Sequence, residues 1–265
     1  MQHLIDDVMK GYFNCSFVDV HPDVVTDVFM SMGSKTKPFQ QCLNTHPGII
    51  GILQCLPEIQ RSCRSAKAVV LKTIRYTVEK AKALMASDPQ VKVIHLIRDP
   101  RGTLRSRIAP GKIPWERLVN SSRNYCRGVA KDLAMGDEAR RQFPGRLVRV
   151  RYEDIALQPV RFAKKLLAFA GLSLSPRQKE YLEEMTSAVE HKICKNCVKV
   201  LKTNSTAAAF SWRGAFDFYH TSAIDVGCGD VYEKAGYLPL DAEKDLVDRS
   251  VPSMLGTGSV PGFLA

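Results

Sequence analysis

An arginine placed just after an apolar, β-branched run and followed eight residues later by a serine fits a phosphate. Here the run is Val91-Lys-Val-Ile-His-Leu-Ile97, the arginine is Arg98 and the serine is Ser106. A guanidinium presents a planar fork of N–H donors, and a hydroxyl adds one more. Asp99 suits the cap of a helix and Pro100 its first position, so the pattern predicts a helix over Arg101 to Ile108 whose start adds partial positive charge. Arg98 also stands at the C-terminal end of a strand, where open α/β sheets bind ligands. The same residues fit a structural role, with Asp99 capping and Arg98 on the surface, and residue types alone leave the two open.

Other reactive side chains offer less. His95 falls inside the apolar run and reads as packed, while His21 and His46 lie near prolines without an evident partner. No general base stands out, so the catalytic residue is left unassigned. Cys194-Lys-Asn-Cys197 is a lone CxxC; with His191 it makes three ligands, one short of a structural zinc site, and no metal is expected. Leu255-Gly-Thr-Gly-Ser259 and Val226-Gly-Cys-Gly229 neither follow a strand nor open a helix, so they are weak phosphate loops. The kinase-type GxxxxGK[ST] motif is absent.

Elements must hold these groups in place. Ala68–Leu71, Val91–Ile97 and Leu147–Val150 read as short buried strands separated by helical sequence, which predicts a mostly parallel sheet. Tyr76 to Ala86 reads as a crossover helix ending before Asp88-Pro89. Pro159 opens an apolar helical stripe closed by Gly171, and Ser175-Pro-Arg-Gln178 is a capping box starting a helix to about Met185. Residues 1–251 read as one domain and 252–265, rich in Gly, Ser and Pro, as a loose tail.

Composition sets outer limits. The 265 residues are 45% hydrophobic and 25% charged, as a globular core requires. No apolar run is long enough to span a membrane, and MQHLIDDVMK is unlike a signal peptide. Lys plus Arg number 38 against 27 acids, a net charge of +11 that favours anionic partners. Arginines cluster at 98–107 and at 140–151, where a basic run more often faces solvent. Eight cysteines suit a few bridges in an oxidising compartment or free thiols in the cytosol, and no pairing follows from their spacing.

The segment Ile97-Arg-Asp-Pro-Arg-Gly-Thr-Leu-Arg-Ser-Arg107 resembles the 3′-phosphate-binding segment of the Golgi carbohydrate sulfotransferases. The resemblance extends to Leu71-Lys-Thr-Ile-Arg75, to Val150-Arg-Tyr-Glu-Asp154 with the helix ending Phe169-Ala-Gly171, and to Asn204–Arg213 followed by Cys228 and Gly236-Tyr237. It implies a P-loop-like α/β fold with a parallel sheet and flanking helices. It also implies 3′-phosphoadenosine 5′-phosphosulfate (PAPS) as donor, a glycan acceptor such as a 6-hydroxyl of galactose or an N-acetylhexosamine, and the Golgi lumen. By the same resemblance Arg98 and Ser106 hold the 3′-phosphate. Tyr152 stacks on adenine or, equally, is a core tyrosine at the strand end. Arg213 reaches a nucleotide phosphate, and Trp212 belongs to the core. Glu153 and Asp154 cap a helix or pair with arginine. The family's first βα unit, its 5′-phosphosulfate loop and its membrane anchor find no counterpart here, so the expectation is a truncated, impaired enzyme. The competing reading is a non-enzymatic binder of anionic polymer, glycosaminoglycan or nucleic acid, through a basic face.

Overall fold

The structure is a computed structural model that describes residues 2–27, 30, 33–74, 76–108, 114–187 and 204–265. His191, Cys194, Cys197 and Arg75, named above, lie outside the described residues. The chain divides into two compact units, Met1–Ile74 and Arg75–Ala265.

The first unit is helical: α1 (Gln2–Phe13), α2 (Pro22–Val25), α3 (Lys37–Thr45) and α4 (Gly48–Arg64). Phe17, Val25, Phe39, Leu56 and Ile59 form its small core. A core of that size leaves a unit marginal, and two disulfides, Cys15–Cys63 and Cys42–Cys55, offset this by restricting the unfolded chain. Ala68–Leu71, expected as a strand, has no regular secondary structure, and Val70 is 78% exposed. A strand needs a neighbour to satisfy its backbone groups, and the one ladder among the described residues lies elsewhere.

That ladder is in the second unit. β1 (Val93–Ile97) pairs in parallel with β2 (Leu147–Arg151), Val93 opposite Leu147 and Ile97 opposite Arg151. α5 (Val78–Ser87) precedes β1, with Thr77 as its cap. The parallel crossover consists of α6 (Pro100–Ile108) and the long α7 (Leu118–Gln142). α7 buries Leu118, Cys126 and Leu133 against Trp212, Ile224 and Val231. β2 runs directly into α8 (Tyr152–Leu157), followed by α9 (Pro159–Phe169) and α10 (Pro176–Thr186). The expected signals are seen here: Gly171 takes φ +76° after α9, and Ser175 and Gln178 form a capping box. α11 (Ser205–Ala209), α12 (Phe218–Gly227), α13 (Gly229–Ala235) and α14 (Glu243–Val247) complete the unit, and Cys126–Cys228 cross-links it. The parallel sheet with flanking helices matches the expected α/β class.

Residues 252–265 have no helix or strand, yet they are not loose. Met254 bridges Tyr237, the Leu264 N–H donates to the Arg149 carbonyl at 2.7 Å, and Val260 is buried. The arginines also depart from expectation, because Arg101, Arg149 and Arg151 are buried rather than solvent-facing. Buried guanidiniums need acceptors: loop carbonyls distant in sequence serve Arg101 and Arg151, and the Leu133 carbonyl of α7 serves Arg149.

Candidate anion site

The turn after β1 is built by Asp99. Its Oδ1 accepts the Arg101 N–H at 2.9 Å, a cap one residue before Pro100. The same carboxylate chelates the Arg101 guanidinium, from Nε at 3.0 Å and Nη2 at 2.9 Å. Arg101 is fully buried between Trp212 at 4.2 Å and Tyr232 at 5.0 Å, and it donates onward to the carbonyls of Leu238 and Ser253. This ion pair is a structural pin. It fastens α6 to loops more than 130 residues away in sequence.

The end of β2 repeats the device. Arg151 donates to Asp154 through Nε at 2.7 Å and Nη2 at 3.0 Å, and reaches the Leu255 carbonyl at 2.9 Å. Thr257 adds a hydroxyl to Asp154 at 2.7 Å. Between the pins sits Glu153, with no solvent exposure, accepting the Asp99 N–H at 3.0 Å and the Tyr237 hydroxyl at 2.9 Å. Burial, then the charge of Asp99, pushes its carboxyl up to about 7.

Arg98 projects from this braced turn. Its guanidinium lies over the Tyr152 ring at 4.7 Å, so the structure brings these two candidates together. Arg98 Nε is buried and has no hydrogen-bond partner among the described residues. A Cβ placed on Gly102 would meet Arg98 Nε and Trp212 Cδ1, both at 3.4 Å, so Arg98 lies along the Gly102 face of α6. Ser106 is one turn further along that face. Its hydroxyl is exposed and donates to the Thr103 carbonyl at 2.7 Å, a bond it must exchange in order to donate to a phosphate oxygen. Arg105 Nη1 approaches Ser211 Oγ at 3.4 Å.

Arg213 is placed differently. It donates to the carbonyls of Asp245, Asp248 and Val251 at 3.1, 2.9 and 2.7 Å, and so holds that loop. It also walls a cleft of about 630 Å³ whose lining includes Leu157, Asn204, Phe210 and Arg249. Arg213 lies 5.5 Å from the Trp212 ring, and Trp212 in turn flanks Gly102 beside Arg98. Trp212 itself is fully buried core, and Asp154 pairs with Arg151 as anticipated, whereas Glu153 pairs with no arginine among the described residues and instead accepts the Asp99 N–H and the Tyr237 hydroxyl. His95 is buried, and burial with Arg149 nearby lowers its pKa to about 4. Sequence reasoning missed the roles of Arg101 and Tyr237. The Asp-Pro-Arg order signalled the first, because an arginine two residues after a cap can fold back onto it.

In Cys42, His46 and Cys55 the ligand atoms lie within 4.8 Å of one another, but both cysteines are joined in a disulfide. Among the described residues no helix is long and apolar enough to cross a membrane.

The profile of the Sulfotransferase family matches residues 40–176, about half the chain and the part that carries Arg98, Ser106 and Tyr152. Carbohydrate sulfotransferase 3 of Mus musculus is 27% identical over 207 residues, covering 72% of this chain and 43% of the relative. Carbohydrate sulfotransferase 6 of Homo sapiens is 27% identical, covering 75% and 55%. Carbohydrate sulfotransferase 1 of Danio rerio is 29% identical, covering 92% and 66%. The chain thus spans roughly half to two thirds of the length of these relatives. No solved structure matches. The strand-end arginine, the serine on its helix face and the matched span agree, and the chain belongs to the sulfotransferase family.

Proposed function

We propose that this chain transfers the sulfuryl group of PAPS to a sugar hydroxyl, the 6-oxygen of a galactose or N-acetylhexosamine in a glycan, in the Golgi lumen. The observation that carries the reading is the buried, unpartnered Nε of Arg98 beside Tyr152. A buried donor without an acceptor costs about 1–3 kcal/mol, and a phosphate oxygen would remove that cost. Arg98 and Ser106 then hold the ribose 3′-phosphate, and Tyr152 lies against the nucleotide. The neighbouring cleft, with Leu157 and Phe210 in its wall, has the apolar surface a purine needs, and Arg213 adds positive charge there.

In the reaction the acceptor oxygen bonds to sulfur as the bond from sulfur to the 5′-phosphate oxygen breaks. Adenosine 3′,5′-bisphosphate leaves, and the hydroxyl proton passes to a base. The residues at the anion site would act by fixing the nucleotide in line. The relatives are named carbohydrate sulfotransferases, and the sugar acceptor rests on that likeness.

A polymer-binding role draws less support. Arg101, Arg146, Arg149, Arg151 and Arg213 all donate to main-chain carbonyls, so the arginine runs do not form one free basic face. The test is titration with adenosine 3′,5′-bisphosphate together with a labelled-PAPS transfer assay on galactose- and N-acetylglucosamine-terminated glycans. Binding is expected, and Arg98→Ala should weaken it by about tenfold or more, the loss of a charge-assisted hydrogen bond. Wild-type affinity in both Arg98→Ala and Ser106→Ala would refute the site. Heparin that binds without competition from the bisphosphate would favour the polymer reading.

A further inference from the structure

We propose that Glu153 is the positioning residue of the anion site: its carboxylate ties the β1–α6 turn to the start of α8 and thereby holds Arg98 over Tyr152. The proposal rests on the phosphate reading above and deepens it by naming what sets the geometry of the charged group.

The connectivity is specific. Arg98 and Tyr152 sit on two different strand-to-helix junctions, and each has Glu153's attachments as its covalent neighbour. The N–H that Glu153 Oε1 accepts belongs to Asp99, next to Arg98. Glu153 itself is next to Tyr152. One side chain therefore closes a ring: Arg98, Asp99, Glu153, Tyr152, and back to Arg98 through the 4.7 Å stacking contact. The second carboxylate oxygen is held by Tyr237, whose backbone pairs with Met254. The anchor is thus fixed from the C-terminal part of the chain.

A simpler, purely structural role would fill this position with an apolar residue. A fully buried carboxylate beside Asp99 is costly, and an apolar residue here would avoid that cost but leave the Asp99 N–H and the Tyr237 hydroxyl without this acceptor. A carboxylate does what an apolar group cannot: it accepts one backbone N–H and one hydroxyl at fixed angles, and so sets the turn from which Arg98 departs.

The experiment titrates adenosine 3′,5′-bisphosphate and adenosine 5′-monophosphate into wild type, Glu153→Ala, Glu153→Asp, Glu153→Gln and Tyr237→Phe. The quantity of interest is the ratio of the two affinities, because it reports the 3′-phosphate contact alone. General loosening of the fold would weaken both nucleotides and leave the ratio unchanged. Glu153→Ala should lower the ratio about tenfold, the scale expected when a binding group is misplaced by a fraction of an ångström. Glu153→Gln should restore most of it, because the amide oxygen still accepts the Asp99 N–H. Should Glu153→Ala not fold, Glu153→Asp, with its carboxylate drawn back by one methylene, is expected to show the same loss. A ratio unchanged in the Ala and Asp variants, or one that Gln does not rescue, overturns the positioning role. A wild type that does not distinguish the two nucleotides overturns the phosphate reading, and this proposal with it.

Discussion

An unused donor sets Arg98 apart from Arg101, Arg151 and Arg213; Arg149 Nε is also unpartnered among the described residues, but Arg149 is paired with Asp137 and the Leu133 carbonyl, away from Tyr152. Arg101, Arg151 and Arg213 spend theirs on carboxylates and carbonyls, whereas Arg98 Nε is buried with none, its charge supported by the face of Tyr152. If that face orients the guanidinium, Tyr152→Phe should bind adenosine 3′,5′-bisphosphate like wild type. Tyr152→Leu should lose about twofold to thirtyfold, since a cation–π contact contributes about 0.5–2 kcal/mol. Equal losses in both variants would assign the effect to the hydroxyl instead. The placement of Arg98 at the strand end and of Ser106 on α6 was legible from the sequence because strand end, cap and helix face are set by neighbours in the chain. The part played by Tyr237 was not, because its partner Glu153 is 84 residues away.

Among the elements, two helix starts look alike in sequence and differ in consequence. Ser175 caps α10 with a full capping box, but no residue of that helix is buried. Ser175→Ala should therefore cost about 1 kcal/mol, the ordinary worth of an exposed cap. Asp99 caps α6 and also neutralises Arg101, with both side chains almost wholly buried. Asp99→Ala leaves Arg101 with only the more distant Asp225 carboxylate, at 3.6 Å, and should cost about 3 kcal/mol or more. Urea denaturation of the two variants checks both values; similar costs would mean that Arg101 finds other acceptors on relaxing. The local signatures of both caps were readable, and so were the strands that form β1 and β2. The pattern at Ala68–Leu71 was equally strand-like, but whether a strand forms depends on a partner, which pattern does not report. Residues 252–265 failed as a loose tail for the same reason, because their backbone carbonyls are ligands of Arg101 and Arg151.

For the whole molecule, the count of charges told less than where they lie. A surplus of +11 suggests a basic surface, yet several of the arginines are internal fasteners, and two buried titratable groups shape the response to pH. Glu153 is raised from 4.5 to about 7, so the folded chain holds that proton more tightly than the unfolded one. Its contribution is most favourable below 4.5 and is lost as pH rises through about 7. His95 is lowered from 6.5 to about 4, and the sign reverses: stability is lost as pH falls from 6.5 towards 4. Between 4.5 and 6.5 the two slopes oppose and largely cancel. Glu153→Gln removes one of them. Relative to wild type, that variant should therefore gain stability between pH 5 and pH 8, by about 3 kcal/mol at most at ~1.4 kcal/mol per unit. Its own stability should climb with pH through the histidine window. Parallel curves for the two proteins in denaturant titrations across that range would show that Glu153 stays ionised in the fold, and that its neighbours carry more of its charge than burial takes away.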